Sequence, residues 1–183
     1  MVYVFLAEGF ELVEALAPVD VLRRAGIETK LVGVTGREVA ASNGVVVRAD
    51  LTAEEAGTEG LLAVVLPGGL PGTLNLEKSP AVQGMVDYCA AEGKLVGAIC
   101  AAPSILAHKG LLQGREATAF PKFQEDLVAG GAKLSGRYVC QDGLFVTGRG
   151  MGVSTEFGLK LVEALVSPEK AEEIRASIQT DRG

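Results

Sequence analysis

The chain has 183 residues, a length that suits one domain over 1–183, and its 17 basic against 23 acidic side chains leave a net charge of −6. No lysine or arginine run offers the patch that nucleic acid or an anionic membrane surface needs, and no stretch nears the roughly twenty apolar residues of a membrane helix. Cys89, Cys100 and Cys140 are odd in number and widely spaced, and MVYVFLAEGF turns acidic too soon for a signal peptide, so free thiols in a reducing cytoplasm are expected.

Along the chain, β-rich apolar runs alternate with amphipathic stretches. Residues 2–7 read as a strand. Residues 11–25 carry Leu12, Leu16, Val19 and Leu22 at helical spacing and close at Gly26. A strand over 29–34 follows, then two short strands within 39–50 that turn at SNG. The continuously apolar residues 61–66 end in PGG, the profile of a central parallel strand. A helix over 80–91, a buried strand over 94–99 and a short helix over 103–108 come next.

The remainder predicts a strand at 116–119, a helix over 123–129, and a hairpin within 138–147 turning at QDG. Helices over 154–166 and 168–178 finish the chain. Alternation of this kind implies a mostly parallel sheet covered on both faces, with the ligand site beyond the carboxyl ends of the strands. Three loops should meet there: AEGFE, PGG and CAAP.

Cys100 stands where a buried strand runs into a helix. Its thiol would face the free N–H groups and positive end of that helix, which favour a thiolate. Small neighbours (Gly97, Ala98, Ala101, Ala102) leave room for a nucleophile elbow, and Pro103 suits an early helical position. A packing cysteine would satisfy the same pattern, because free cysteine is among the most buried residue types. Glu11 and Glu14 begin a helix at the same sheet edge. Glu11 reads as an ordinary dipole partner. Glu14, flanked by Val13, Ala15 and Leu16, would be partly desolvated and would hold its proton to a higher pH. Gly68 and Gly69 form either a plain turn or a backbone that approaches a substrate and donates N–H groups to it.

His108, the only histidine, lies about 12 Å along the helix axis from Cys100 and is expected to bond the helix-end carbonyls. This argues against a Cys–His dyad, unless another subunit supplies His108, and one histidine with three scattered cysteines argues against a zinc site. Cys89 and Cys140 read as packing or surface thiols. For Arg23, Arg24 and Arg149, surface solvation is the default, with neutralisation of a small anion the other reading.

The segments VFLAEGFELVEALAPVDVLRRAGI, VVLPGG, LVGAICAAPSILAHKGLL and TGRGMGVSTEFGLKLVEAL fall in the order and spacing of the DJ-1/ThiJ/PfpI superfamily. The sequence resembles that family over nearly its whole length, and most of all its branch of YajL-like and parkinsonism-associated proteins. The resemblance implies a flavodoxin-like, three-layer α/β sandwich with a small β-hairpin, and a homodimer. It puts the family's reactive cysteine at Cys100, its protonated glutamate at Glu14, and its backbone donors at Gly69 and Ala101. Three positions depart from common family patterns. Ala101 stands where many members have a histidine after the cysteine, Phe120 replaces a histidine before Pro121, and Asn43 falls where a basic residue is found.

The activity so implied is that of a cofactor-independent glyoxalase or deglycase, acting on methylglyoxal, glyoxal or early adducts on glycated protein. Cys100 would add to the aldehyde and Glu14 would move protons, with Gly68, Gly69, Ala101 and Phe120 lining the site and no metal or other cofactor required. The rival expectation is a redox sensor in which Cys100 is oxidised and Glu14 hydrogen-bonds the product. A stress-response chaperone, whose action would not depend on Cys100, is the third.

Overall fold

The computed structural model describes residues 1–180; residues 181–183, the end of the domain expected over 1–183, lie outside the described residues. The elements in chain order are β1 (Val2–Leu6), α1 (Leu12–Arg24), β2 (Thr29–Gly33), β3 (Glu38–Ala40), β4 (Val46–Arg48), β5 (Leu51–Thr52) and β6 (Ala63–Leu66). Then come α2 (Gly72–Lys78), α3 (Pro80–Ala91), β7 (Leu95–Ile99), α4 (Pro103–His108), β8 (Glu116–Ala117), α5 (Gln124–Ala129) and β9 (Lys133–Leu134). The chain continues through β10 (Val139–Asp142), β11 (Phe145–Gly148), α6 (Ser154–Leu165) and α7 (Pro168–Ser177).

Seven strands form one sheet in the order β10-β11-β7-β6-β1-β2-β5, parallel throughout except at the β10–β11 edge hairpin. β1, β6 and β7 are buried along their whole length, which is why they read as unbroken apolar runs. Successive side chains of β1 feed opposite cores. Val4 and Leu6 join Val19, Leu22, Phe157 and Leu161 beneath α1 and α6, whereas Phe5 joins Val64, Val86, Ile105 and Leu106 beneath α3 and α4. Truncating Phe5 or Phe157, both fully buried, would cost on the order of 3–5 kcal/mol. This is the three-layer α/β architecture expected of the sequence, with β3 and β4 as the separate small hairpin.

β1 is flanked by β2 on one side and β6 on the other. The chain therefore leaves the end of β1 toward one half of the sheet and the end of β6 toward the other, opening a crevice between them. On the α1 side, α6 approaches closely at Gly158, where an added Cβ would lie 3.0 Å from Pro18 Cα and 3.1 Å from Val21 Cβ. Pro18 sits inside α1 and lacks the N–H that would otherwise close onto the Glu14 carbonyl.

Two elements escape sequence reasoning. α2 is a seven-residue helix with little apolar periodicity; it forms because Gly72 and Thr73 are buried against the loop after β1 and the Thr73 N–H donates to Gly69 O at 2.9 Å. β9 is two exposed residues whose only strand signal is tertiary, the parallel pairing with β8. The strand expected over 116–119 shortens to β8, since the Thr118 N–H turns to Thr147 Oγ1 at 3.0 Å instead of a backbone ladder. Among the described residues no helix is long and apolar enough to cross a membrane.

Candidate active site

Three loops meet at the crevice, and two are locked backbone to backbone. The Glu11 N–H donates to Gly68 O at 2.9 Å and the Gly72 N–H to Gly9 O at 3.2 Å. Gly69 adopts φ +91°, and a Cβ there would fall 2.4 Å from Glu11 N; only glycine meets both conditions at once. Glu11 caps α1, its Oε2 accepting the Glu14 N–H at 2.7 Å, which sets the first helical turn and the direction in which Glu14 leaves it.

Cys100 directly follows β7 and lies in the left-handed region at φ 64°, unusual for a residue with a side chain. Its N–H donates to Gly148 O at 2.8 Å and its carbonyl accepts the Phe120 N–H at 2.9 Å, so β11 and the segment after β8 together hold the strained conformation. The result is a nucleophile elbow that leaves the thiol half-buried.

Glu14 is buried, with 1% of its surface exposed. Oε2 accepts the Gly68 N–H at 2.9 Å, while Oε1 is buried and accepts no hydrogen bond. The carboxyl lies against the Cys100 thiol and couples to it through hydrogen bonding and charge. Gly68 is the wedge between them: a Cβ on it would stand 2.6 Å from Glu14 Oε2 and 2.7 Å from Cys100 Cβ.

Burial pushes the Glu14 carboxyl up to about 7; the neighbouring Glu11 charge adds to the rise, and the bonds from Cys100 and Gly68 work against it. Burial also pushes the Cys100 thiol up to about 12, the Glu14 charge and hydrogen bond raising it further, while the Ala101 and Gly69 N–H groups pull it down. The helix end therefore does not by itself produce a thiolate, as the sequence suggests it should: removal from water outweighs the donors. Two of the upward causes belong to an ionised Glu14. When Glu14 carries its proton its charge no longer raises the thiol, and the carboxyl can instead donate to sulfur. The two groups therefore titrate as a coupled pair, each one's affinity for its proton depending on whether the other is charged.

Glu14, Gly68, Gly69, Cys100 and Ala101 come together at this point. Phe120 joins through its backbone bond to Cys100, its side chain remaining 46% exposed. His108 is elsewhere, and it does not bond helix-end carbonyls: its Nδ1 pairs with Glu77 Oε1 at 2.6 Å, a side-chain partner that α2 brings to it. Cys89 and Cys140 are buried, and burial raises the pKa of both. Arg23 binds Thr29 O and Asp50, and Arg24 binds Asp20, at the surface. Arg149 departs from the solvated default, because its Nε is buried and its guanidinium stacks on Tyr138 at 4.8 Å from the ring centroid. The sequence does not single out Tyr138; nothing but the β10–β11 hairpin places it near Arg149. No group of three or more potential metal-ligating side chains occurs among the described residues.

A strained half-buried cysteine beside a buried carboxyl, at the switch point of a parallel sheet, defines a class of α/β proteins with a cysteine elbow. The chain belongs to the DJ-1/PfpI family, whose family model matches residues 1–164. It is 40% identical over 178 residues to the Parkinson disease protein 7 homolog of Danio rerio, covering 96% of this chain and 94% of that one. Among solved structures, oxidized Toxoplasma gondii DJ-1 superposes with a TM-score of 0.91 at 37% identity, covering 97% of this chain and 96% of that one. A glutathione-independent glyoxalase of Caenorhabditis elegans, DJR-1.2, is 29% identical over 163 residues, covering 89% of this chain and 87% of that one.

Proposed function

We propose that the protein converts 2-oxoaldehydes to 2-hydroxy acids with Cys100 as nucleophile and Glu14 as proton carrier. The observation that carries the reading is Glu14 Oε1, a buried carboxyl oxygen without a partner beside a strained, half-buried thiol. An unpartnered buried polar atom beside a nucleophile is consistent with a catalytic role, and Oε1, when protonated, can donate to a substrate oxygen. The named activity of the Caenorhabditis relative supports the same chemistry.

In this scheme the thiolate attacks the aldehyde carbon, a C–S bond forms, and protonated Glu14 gives its proton to the new oxyanion, yielding a hemithioacetal. Glu14, now ionised, takes the proton from that carbon. Returning it to the adjacent carbon by way of an enediol leaves a 2-hydroxy thioester. Water cleaves the C–S bond, releasing the 2-hydroxy acid and restoring the thiol. The net change is addition of one water, with no external oxidant or reductant. Early adducts of the same aldehydes on proteins enter the same route once the protein's amine or thiol leaves with a proton and frees the aldehyde carbon. The protein acts as a homodimer in this reading, supported by the exposed apolar Val13 on α1 and Val45 and Val46 on the small hairpin.

The test is formation of lactate from methylglyoxal by protein treated with chelator and free of glutathione, compared with Cys100→Ala and Glu14→Gln. Both variants should lose at least a hundredfold in kcat/KM; equal activity in all three proteins rejects the assignment.

A second reading is favoured by the Toxoplasma relative, whose solved structure is that of an oxidized protein. The orphan Oε1, when protonated, can donate to an oxygen on sulfur as well as to an aldehyde oxygen. Peroxide titration followed by intact mass decides: rapid gain of two oxygens confined to Cys100 supports sensing.

A further inference from the structure

A recess of about 480 Å³ is lined by Phe120, Pro121, Tyr138, Arg149, Gly150 and Val153 among others, Cys100 itself not being part of the wall. It adjoins the elbow through both backbone bonds that hold Cys100, one to Phe120 and one to Gly148, the residue before Arg149. The Phe120 ring closes one side, its Cδ2 3.6 Å from where a Cβ on Gly150 would sit. Tyr138 forms another wall, and the Arg149 N–H donates to Tyr138 O at 2.8 Å, which ties the two residues together.

Arg149 is the distinctive part. The chain carries an excess of acidic residues, yet among the described residues no carboxylate stands within ion-pair distance of this guanidinium. Its Nε is buried with no acceptor, and its face is spent on the Tyr138 ring. A buried donor on a cation leaves a cost that an anionic acceptor would remove. The guanidinium fork suits a carboxylate in two-point contact, and the stacking on Tyr138 fixes the fork before any ligand arrives.

We infer that this recess is a substrate subsite that takes the tail of a 2-oxoaldehyde ending in a carboxylate, with Arg149 as the residue that selects the charged tail. The apolar walls accept the carbon chain, Arg149 binds the terminal carboxylate, and the carbonyl end reaches Cys100. This inference rests on the reading of Cys100 as the nucleophile and adds the substrate class to it. Arg149 takes no part in the bond changes at sulfur.

The experiment compares two substrates, γ,δ-dioxovalerate, which carries the carboxylate, and methylglyoxal, which does not. In Arg149→Gln the KM for dioxovalerate should rise about tenfold or more, the loss expected for a charge-assisted contact, with kcat little changed and methylglyoxal kinetics within twofold of the parent. Arg149→Lys, which keeps the charge and loses the fork, should fall between the two for dioxovalerate only. Equal losses on both substrates, or none on either, overturn the subsite.

A second measurement separates this inference from the glyoxalase reading. Levulinate should slow alkylation of Cys100 by iodoacetamide in the parent protein, its methyl ester should not, and Arg149→Gln should abolish the difference. Should neither aldehyde be turned over, protection of this pattern still establishes the anion subsite, and its absence refutes it.

Discussion

The Gly68 amide and the Glu14 carboxylate oxygen Oε2 are joined by a 2.9 Å hydrogen bond in the interior, and the Cys100 Cβ lies against the same glycine. One residue without a side chain therefore sets the spacing of the acid and the thiol. In Gly68→Ala the new methyl would meet Oε2 at 2.6 Å and Cys100 Cβ at 2.7 Å, and either the carboxyl or the elbow must move. Stability should fall by about 1–3 kcal/mol, as for other overpacked interiors. Conversion of methylglyoxal should fall more than tenfold, read by kcat/KM beside thermal unfolding.

Glu14 should make the protein less stable as pH rises. In the unfolded chain its proton leaves near 4.5, whereas in the folded protein burial holds it to about 7. Below 4.5 both states are protonated and nothing is lost. Between the two values the unfolded state binds fewer protons and gains, and above 7 the cost levels off on the order of 3 kcal/mol. Glu14→Gln should therefore match the parent near pH 4 and exceed it by about 1–3 kcal/mol at pH 8. Urea unfolding at the two pH values checks this; an equal difference at both rejects the buried-proton account.

Histidine should be dispensable for the chemistry. His108 lies at the end of α4, engaged with Glu77 from α2 and 3.9 Å from Asp126 of α5. These are exposed pairs, worth less than about 1 kcal/mol. His108→Ala should keep methylglyoxal turnover within twofold and lower the unfolding midpoint only slightly. A hundredfold loss of turnover would require a histidine base.

The close approach of α6 to α1 depends on Gly158. With an added methyl 3.0 Å from Pro18 Cα, Gly158→Ala should push α6 away from α1 and destabilise by about 1–3 kcal/mol, although Ala is the better helix former. Thermal unfolding measures the loss, and an unchanged or higher midpoint would show that the helices can part freely.

What is legible in the sequence depends on local chemistry. The apolar runs of β1, β6 and β7 announce central strands because both faces are covered, and the spacing of Leu12, Leu16, Val19 and Leu22 announces α1 because one face is. α2 and β9 lack such a signal. The first is held by its burial against the loop after β1, and the second by a two-residue pairing with β8. The expectation for His108 fails for the same reason, since its partner Glu77 lies on the helix that periodicity does not reveal.

The same division runs through the site. Cys100 at a strand end among small residues, and Glu14 on the apolar side of a helix, follow from the sequence itself, because turn geometry and amphipathic patterning are local. Which way the protons lie is decided by the fold. Burial raises both groups, Gly68 sets their spacing, and bonds from Gly148 and Phe120 keep Cys100 in a conformation that a residue with a side chain would otherwise leave. Arg149 is the plainest case: in the sequence it is one more surface arginine, and only the hairpin carrying Tyr138 turns it into a half-buried cation with a buried Nε and no counter-charge among the described residues. Side-chain pattern reports what a segment is; desolvation and partnership depend on residues far along the chain, and those exist only once it has folded.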